Sequence, residues 1–123
     1  HTREFGAVAT EQLLNGSDMP TAIFAGSDFL ALGVIQKVRE RGLRLPEDIS
    51  LLGFDDMPFA DLLAPPLTTI RQPDQELGRR AFLAVLGAIN KHPPMTERLP
   101  TSLVERQSVA RLVGMPIRAP DTA

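Results

Sequence analysis

The chain has 123 residues, enough for one domain with a buried core, and its 43% hydrophobic and 23% charged content is that of a globular protein. A net charge of -2 argues against a phosphate-neutralising basic surface, and the absence of cysteine excludes disulfide scaffolds and thiolate metal sites. No apolar run has the length of a membrane span, and no signal-peptide pattern opens the chain.

Phe5, Val8, Ala9, Leu13 and Leu14 recur at helical spacing and Asn15-Gly16 supplies a stop, so the chain is expected to open on a helix over Arg3 to Asn15. Thr21 to Ala25 is short and apolar with a β-branched pair, as a buried strand requires. Gly26-Ser27-Asp28 turns the chain, and Asp28 is expected to cap the next helix, Phe29 to Arg41, whose apolar face carries Leu30, Ala31, Val34, Ile35 and Val38. Lys37, Arg39 and Arg41 suit the negative end of that helix dipole, and Gly42 ends it. Ile49 to Phe54 then reads as a continuous apolar strand, parallel to the first with a helical crossover between them.

Phe59 to Leu63 forms about a turn of helix, cut by Ala64-Pro65-Pro66 because a residue before proline is pushed out of the helical region. Leu67 to Gln72 is β-branched and reads as a third strand closed by Pro73. Asp74 is expected to cap a long amphipathic helix through Asn90, with Leu77, Ala81, Phe82, Val85, Leu86 and Ile89 apolar. After a loop over Lys91 to Pro94, residues alternate only from Leu103 to Glu105, and Pro100 confines that stretch to a sheet edge. Residues 1–108 are expected to form the domain and 109–123 a loosely ordered tail. The chain does not begin with Met, which suggests a piece of a longer protein.

Both first strands stop at polar residues, Ser27-Asp28 and Asp55-Asp56, and ligands of open parallel sheets bind outside the carboxyl ends of the strands. Enzyme chemistry has little to work with. His1 and His92 are the two histidines, no nucleophile is placed beside the aspartates, no phosphate-binding glycine fingerprint occurs, and Asp55 and Asp56 alone would leave a metal underligated. No catalytic residue, metal ligand or cofactor is therefore expected.

An ordered series resembles the lactose/galactose repressor (LacI/GalR) family of bacterial transcription regulators. It comprises Pro20 to Ala25, Asp28, Ala31-Leu-Gly33, Arg41 to Ser50, Gly53-Phe-Asp-Asp56, Pro65 to Pro73, Gly78 and Leu99 to Ser108, and spans Gly6 to Ser108. The resemblance implies an α/β, parallel-sheet, periplasmic-binding-protein-like fold of type I, of which this chain holds an incomplete C-terminal subdomain portion. It also implies a small-molecule effector, expected to be a sugar, in a cleft between subdomains, a homodimer, a cytoplasmic location and no membrane. DNA contact would come through an N-terminal domain that this chain lacks. Two other readings stand beside it: a periplasmic sugar-binding protein of an ABC transporter, sharing the fold, and a doubly wound enzyme.

Carried onto this chain, the resemblance makes Asp55 a ligand-binding residue, since a carboxylate accepts two directional bonds from effector hydroxyls, with capping of the following helix as its other reading. Ser27 stands where many members have an Asn that meets the ligand, so its contact is either direct, through water or lost; Asp28 beside it is a ligand or capping residue. Gln72, on the segment crossing between subdomains, is expected to bridge ligand and hinge or to make a loop bond. His1 occupies the place of a stacking aromatic, or is simply a chain end. Leu32, Ile35, Leu62 and Leu63 correspond to dimer-interface positions, with internal core as the competing use.

Overall fold

The computed structural model describes residues 2–93 and 96–112. Its elements in chain order are α1 (Arg3–Leu14), β1 (Ala22–Phe24), α2 (Asp28–Glu40), β2 (Ser50–Asp55), a 3-10 turn (Ala60–Leu62), β3 (Thr68–Arg71), α3 (Asp74–Ile89) and β4 (Ser102–Val104). The strands form one sheet ordered β1-β2-β3-β4. β1, β2 and β3 are parallel, with Phe24 opposite Leu52 and Phe54 opposite Ile70, while β4 runs antiparallel on the edge of β3.

The core lies on one side of this sheet. Registered partners share a face, so Ile23, Leu51, Gly53 and Thr69 line up beneath α2. Ala31, Val34, Ile35 and Val38 press onto them and are 0–6% exposed. Helix α1 packs on α2 through glycine rather than through its apolar stripe. A Cβ on Gly33 would lie 2.0 Å from the Arg3 carbonyl oxygen, and one on Gly6 would lie 2.2 Å from the Leu30 carbonyl oxygen, so the two backbones touch. The buried face of α1 is accordingly Gly6, Thr10 and Leu14, and of the expected stripe Phe5, Val8 and Leu13 stay exposed. Thr10 is accommodated because its hydroxyl donates to the Gly6 carbonyl at 2.8 Å.

Two capping expectations are corrected. Ser27, not Asp28, caps α2: its Oγ accepts the Leu30 N–H at 3.2 Å, which leaves Asp28 as the first helical residue. Asp74 likewise begins α3 inside the helix, after Pro73, with no side-chain cap.

The opposite face of the sheet is open. Phe24 and Leu103 are 61% and 59% exposed, and Leu52, Phe54 and Ile70 between them are half-buried. Helix α3 is more open still: it has the expected amphipathic sequence, yet none of its residues is buried. Nothing among the described residues covers its Phe82, Val85 and Ile89 side. Open sheets of parallel strands normally carry helices on both faces.

The return segment after β4 closes the amino end of the sheet. Ser108 is 1% exposed; its hydroxyl donates to the Leu51 carbonyl at 2.6 Å and accepts the Thr68 N–H at 2.8 Å. The Leu51 N–H in turn donates to the Ser108 carbonyl at 2.7 Å. Two residues on, Ser50 and Ala110 are still bonded through the Ser50 hydroxyl, so the chain keeps to the sheet past residue 108. Residues 113–123 of the expected loose tail lie outside the described residues.

Candidate functional site

Asp55 is the last residue of β2, at the carboxyl edge where the three parallel strands end. Its Oδ1 accepts a hydrogen bond from Gln72 Nε2 at 2.8 Å. Two residues 17 apart in sequence thus meet because β2 and β3 run side by side and Asp55 is registered with Arg71, the neighbour of Gln72. Both are half-buried, so a carboxylate oxygen and an amide stand together at a surface that still reaches solvent.

Asp55 and Asp56 have positive φ angles of 111° and 55°. That conformation turns the chain sharply out of the strand and separates the fates of the two carboxylates. Asp56 faces inward, its side chain 7% exposed, with Oδ2 accepting from Arg71 Nε at 2.6 Å and Oδ1 from Arg106 Nη2 at 2.7 Å. Burial opposes its ionisation, but the hydrogen bonds from Arg106 and then Arg71 outweigh burial and hold the carboxyl below its usual range. Neither aspartate caps the following 3-10 turn, which has no side-chain cap.

Ser27 and Asp28 lie on the matching turn after β1 but are turned into the fold. Ser27 is 5% exposed and spends its oxygen on the α2 cap. Asp28 is fully buried: Oδ1 accepts the Thr69 hydroxyl at 2.7 Å and Oδ2 the Met57 N–H at 2.8 Å. Gly53 makes room for it, since a Cβ there would sit 2.3 Å from Asp28 Oδ1. Of the expected ligand residues the structure therefore joins Asp55 and Gln72, and uses Ser27 and Asp28 to build the frame behind them. His1 lies outside the described residues.

Sequence reasoning missed Arg106 and Ser108. Arg106 clamps Asp56 and also donates to the Leu67 carbonyl at 2.8 Å. An isolated arginine after a short alternating stretch carries no signal of a partner 50 residues away. Phe29 and Phe59, which follow the two strand ends, meet edge to face at 5.2 Å and join those segments.

The four expected interface leucine and isoleucine positions separate as well. Leu32, Ile35 and Leu63 line one groove of about 450 Å³ with Arg3, Gln36 and Arg39, and Arg39 donates to the Ala64 carbonyl at its rim. Ile35 is only 6% exposed and belongs chiefly to the core, whereas Leu62 is 80% exposed outside the groove. Among the described residues no cluster of three or more His, Cys, Asp or Glu side chains is arranged to hold a metal, and no helix is long and apolar enough to cross a membrane.

The family described as periplasmic binding protein-like domain matches residues 2–109. The HTH-type transcriptional repressor PurR of Yersinia enterocolitica is 43% identical over 109 residues, 87% of this chain and 32% of that protein. The LacI family transcriptional regulator of Enterococcus faecium, solved with bound ribose, is 34% identical with a TM-score of 0.77, over 90% of this chain and 41% of that one. A lac repressor dimer bound to operator and an anti-inducer is 34% identical with a TM-score of 0.80, over 89% of this chain and 39% of that one. The chain thus spans about a third of the length of the curated repressors it matches. Through the match over residues 2–109, the chain belongs to the periplasmic binding protein-like domain family.

Proposed function

We propose that this chain forms one wall of a small-molecule effector cleft in a ligand-responsive transcription regulator, and that Asp55 is the group receiving the effector's hydroxyls. The observation that carries this reading is the Asp55–Gln72 pair at the carboxyl edge of the parallel strands, half-buried and hydrogen-bonded at 2.8 Å. A carboxylate there accepts strongly and directionally, and the amide beside it offers both a donor and an acceptor. Such a pair suits a polyhydroxylated ligand, and the regulator from Enterococcus faecium holds ribose. A sugar is accordingly the proposed effector class.

The other wall would come from the part of the core that this chain does not include, in line with the open sheet face and the unburied α3. Gln72 precedes α3, so a ligand held by Asp55 touches the segment that leaves the sheet. Ligand binding then favours one arrangement of the two walls to the extent that it binds that arrangement more tightly. In this reading the protein acts as a homodimer through the Leu32 and Leu63 groove, reaches DNA through a segment outside this chain, and works in the cytoplasm. Its role is binding, without turnover of the ligand.

The test is calorimetric titration of the full-length protein with D-ribose and a panel of other sugars. A sugar that binds the wild-type protein is expected to lose most of its affinity with Asp55→Ala. Undiminished binding by Asp55→Ala would remove the central assignment.

A further inference from the structure

The second aspartate of the pair, Asp56, is bound to arginines rather than open to a ligand. Its carboxylate is almost out of reach of any ligand, with 7% of the side chain exposed and both oxygens already bonded to arginines. Its position is nonetheless immediately beside Asp55, whose φ of 111° lies outside even the left-handed region that aspartate tolerates. A residue in such a conformation persists only where its surroundings over-determine it.

The surroundings can be named residue by residue. Asp55 is tied through its side chain to Gln72, Asp56 to Arg71 and Arg106, and the Met57 N–H to buried Asp28. Asp56 is the member that gathers three segments. Arg71 comes from the end of β3, where it is registered with Asp55, and Arg106 comes from the stretch after β4. Arg106 is itself anchored, with its backbone N–H on the Thr68 hydroxyl at 2.9 Å and Nη1 on the Leu67 carbonyl at 2.8 Å. Asp56 therefore transmits the position of β3 and of the return segment to the peptide that sets the direction of Asp55. It also holds Arg71 still, and Arg71 is covalently joined to Gln72.

We propose that Asp56, clamped by Arg71 and Arg106, is a positioning residue that keeps Asp55 in its positive-φ conformation and in register with Gln72. The role rests on the reading of Asp55 as the ligand carboxylate, and it assigns the two adjacent aspartates different work: the first presents a carboxylate to the cleft, the second holds it there. Asparagine at position 56 tolerates positive φ as aspartate does but weakens both arginine bonds by removing the charge. Asp56→Asn is thus the variant that separates the clamp from the backbone preference.

The experiment uses the full-length protein and two readouts. The first needs no ligand: the side-chain amide resonance of Gln72, identified by its loss in Gln72→Leu, reports the bond to Asp55 through its hydrogen-exchange rate. In Asp56→Asn that exchange is expected to accelerate about tenfold or more while the amides of α1 and α2 keep their wild-type rates. Wild-type exchange of the Gln72 amide in Asp56→Asn would overturn the proposal. The second readout is affinity for D-ribose beside the thermal midpoint, for Asp56→Asn, Arg106→Gln and the double variant. Asp56→Asn and Arg106→Gln are each expected to weaken binding about tenfold while lowering the midpoint by only a few degrees, so that the protein stays folded at the assay temperature, with the double variant no worse than either. Loss of ribose binding by Asp55→Asn with wild-type affinity in Asp56→Asn would overturn the positioning role and leave the reading of Asp55 standing. Wild-type affinity in Asp55→Asn would overturn both.

Discussion

The hydroxyl of Thr69 donates to Asp28 Oδ1 over 2.7 Å, and neither residue has measurable solvent exposure. With the Met57 N–H on Oδ2 at 2.8 Å, one carboxylate joins the start of α2, the middle of β3 and the loop that follows Asp55. Removing one partner of a buried bond leaves the other unsatisfied, at about 1–3 kcal/mol for each such group. Thr69→Val is therefore expected to destabilise the protein by about 1–3 kcal/mol and Asp28→Ala by more, because it strands two donors. Urea unfolding of the two variants measures this, and a Thr69→Val change of only a few tenths would contradict it.

Helices α1 and α2 approach too closely for any side chain at their crossing. Added methyl groups at Gly6 or Gly33 would meet backbone atoms at 2.2 Å and 2.0 Å, which no rotamer change relieves. Gly33→Ala and Gly6→Ala are each expected to destabilise by at least the roughly 1–3 kcal/mol typical of overpacking. Thermal unfolding reads the effect directly, and a variant as stable as wild type would show that the helices can separate without loss.

The groove lined by Leu32 and Leu63 yields a test that separates the proposed interface from the core. Leu63→Asp is expected to convert a dimer to monomer in sedimentation at micromolar concentration, with the monomer still folded. Ile35→Ala is expected to lower stability by about 2–5 kcal/mol, as for other buried isoleucines, because its side chain fills the core. Leu62→Ser, 80% exposed and outside the groove, should change neither property. Monomer formation by Leu62→Ser alone would move the interface elsewhere.

The ion pairs of Asp56 have a pH signature. Its folded-state carboxyl sits below its usual range, so the stability it contributes is complete above the unfolded value, about 3.9 for aspartate, and is lost as pH falls through the lower folded value. The stability difference between wild type and Asp56→Asn should therefore be constant from about pH 7 to pH 5 and shrink below about pH 4. Urea midpoints across that range check it; a difference that grew on acidification would reverse the sign of the argument.

On α3, hydrogen bonds from Arg79 and then Arg80 lower the carboxyl of Glu76 to about 2. A carboxyl carbon NMR titration should show Glu76 ionised well below the usual glutamate range. The same exposed arginines are thus engaged, Arg80 reaching on to Glu97 at 2.6 Å.

Sequence by itself determined the order of strands and helices, the parallel pairing of β1 with β2 and the place of Asp55, because apolar period, proline and glycine act locally and each strand end is marked by a polar residue. The tertiary structure alone decided what the polar residues do. Asp28 reads as a capping residue in sequence, since the cap and the first helical position are one residue apart; it became a buried anchor because Gly53 and Thr69, 25 and 41 residues away, leave room and a donor for it. Ser27 took the cap instead. The stripe of α1 looked like a core face until the contact of Gly6 with α2 rotated it outward, and a glycine contact has no hydrophobic signature. Arg106 and Ser108 gained their roles from strand pairing that brings the end of the chain back to its middle. Local pattern sets which element forms, while long-range packing sets which side of each element is buried, and which of two adjacent aspartates is clamped by arginines and which pairs with Gln72 at the strand edge.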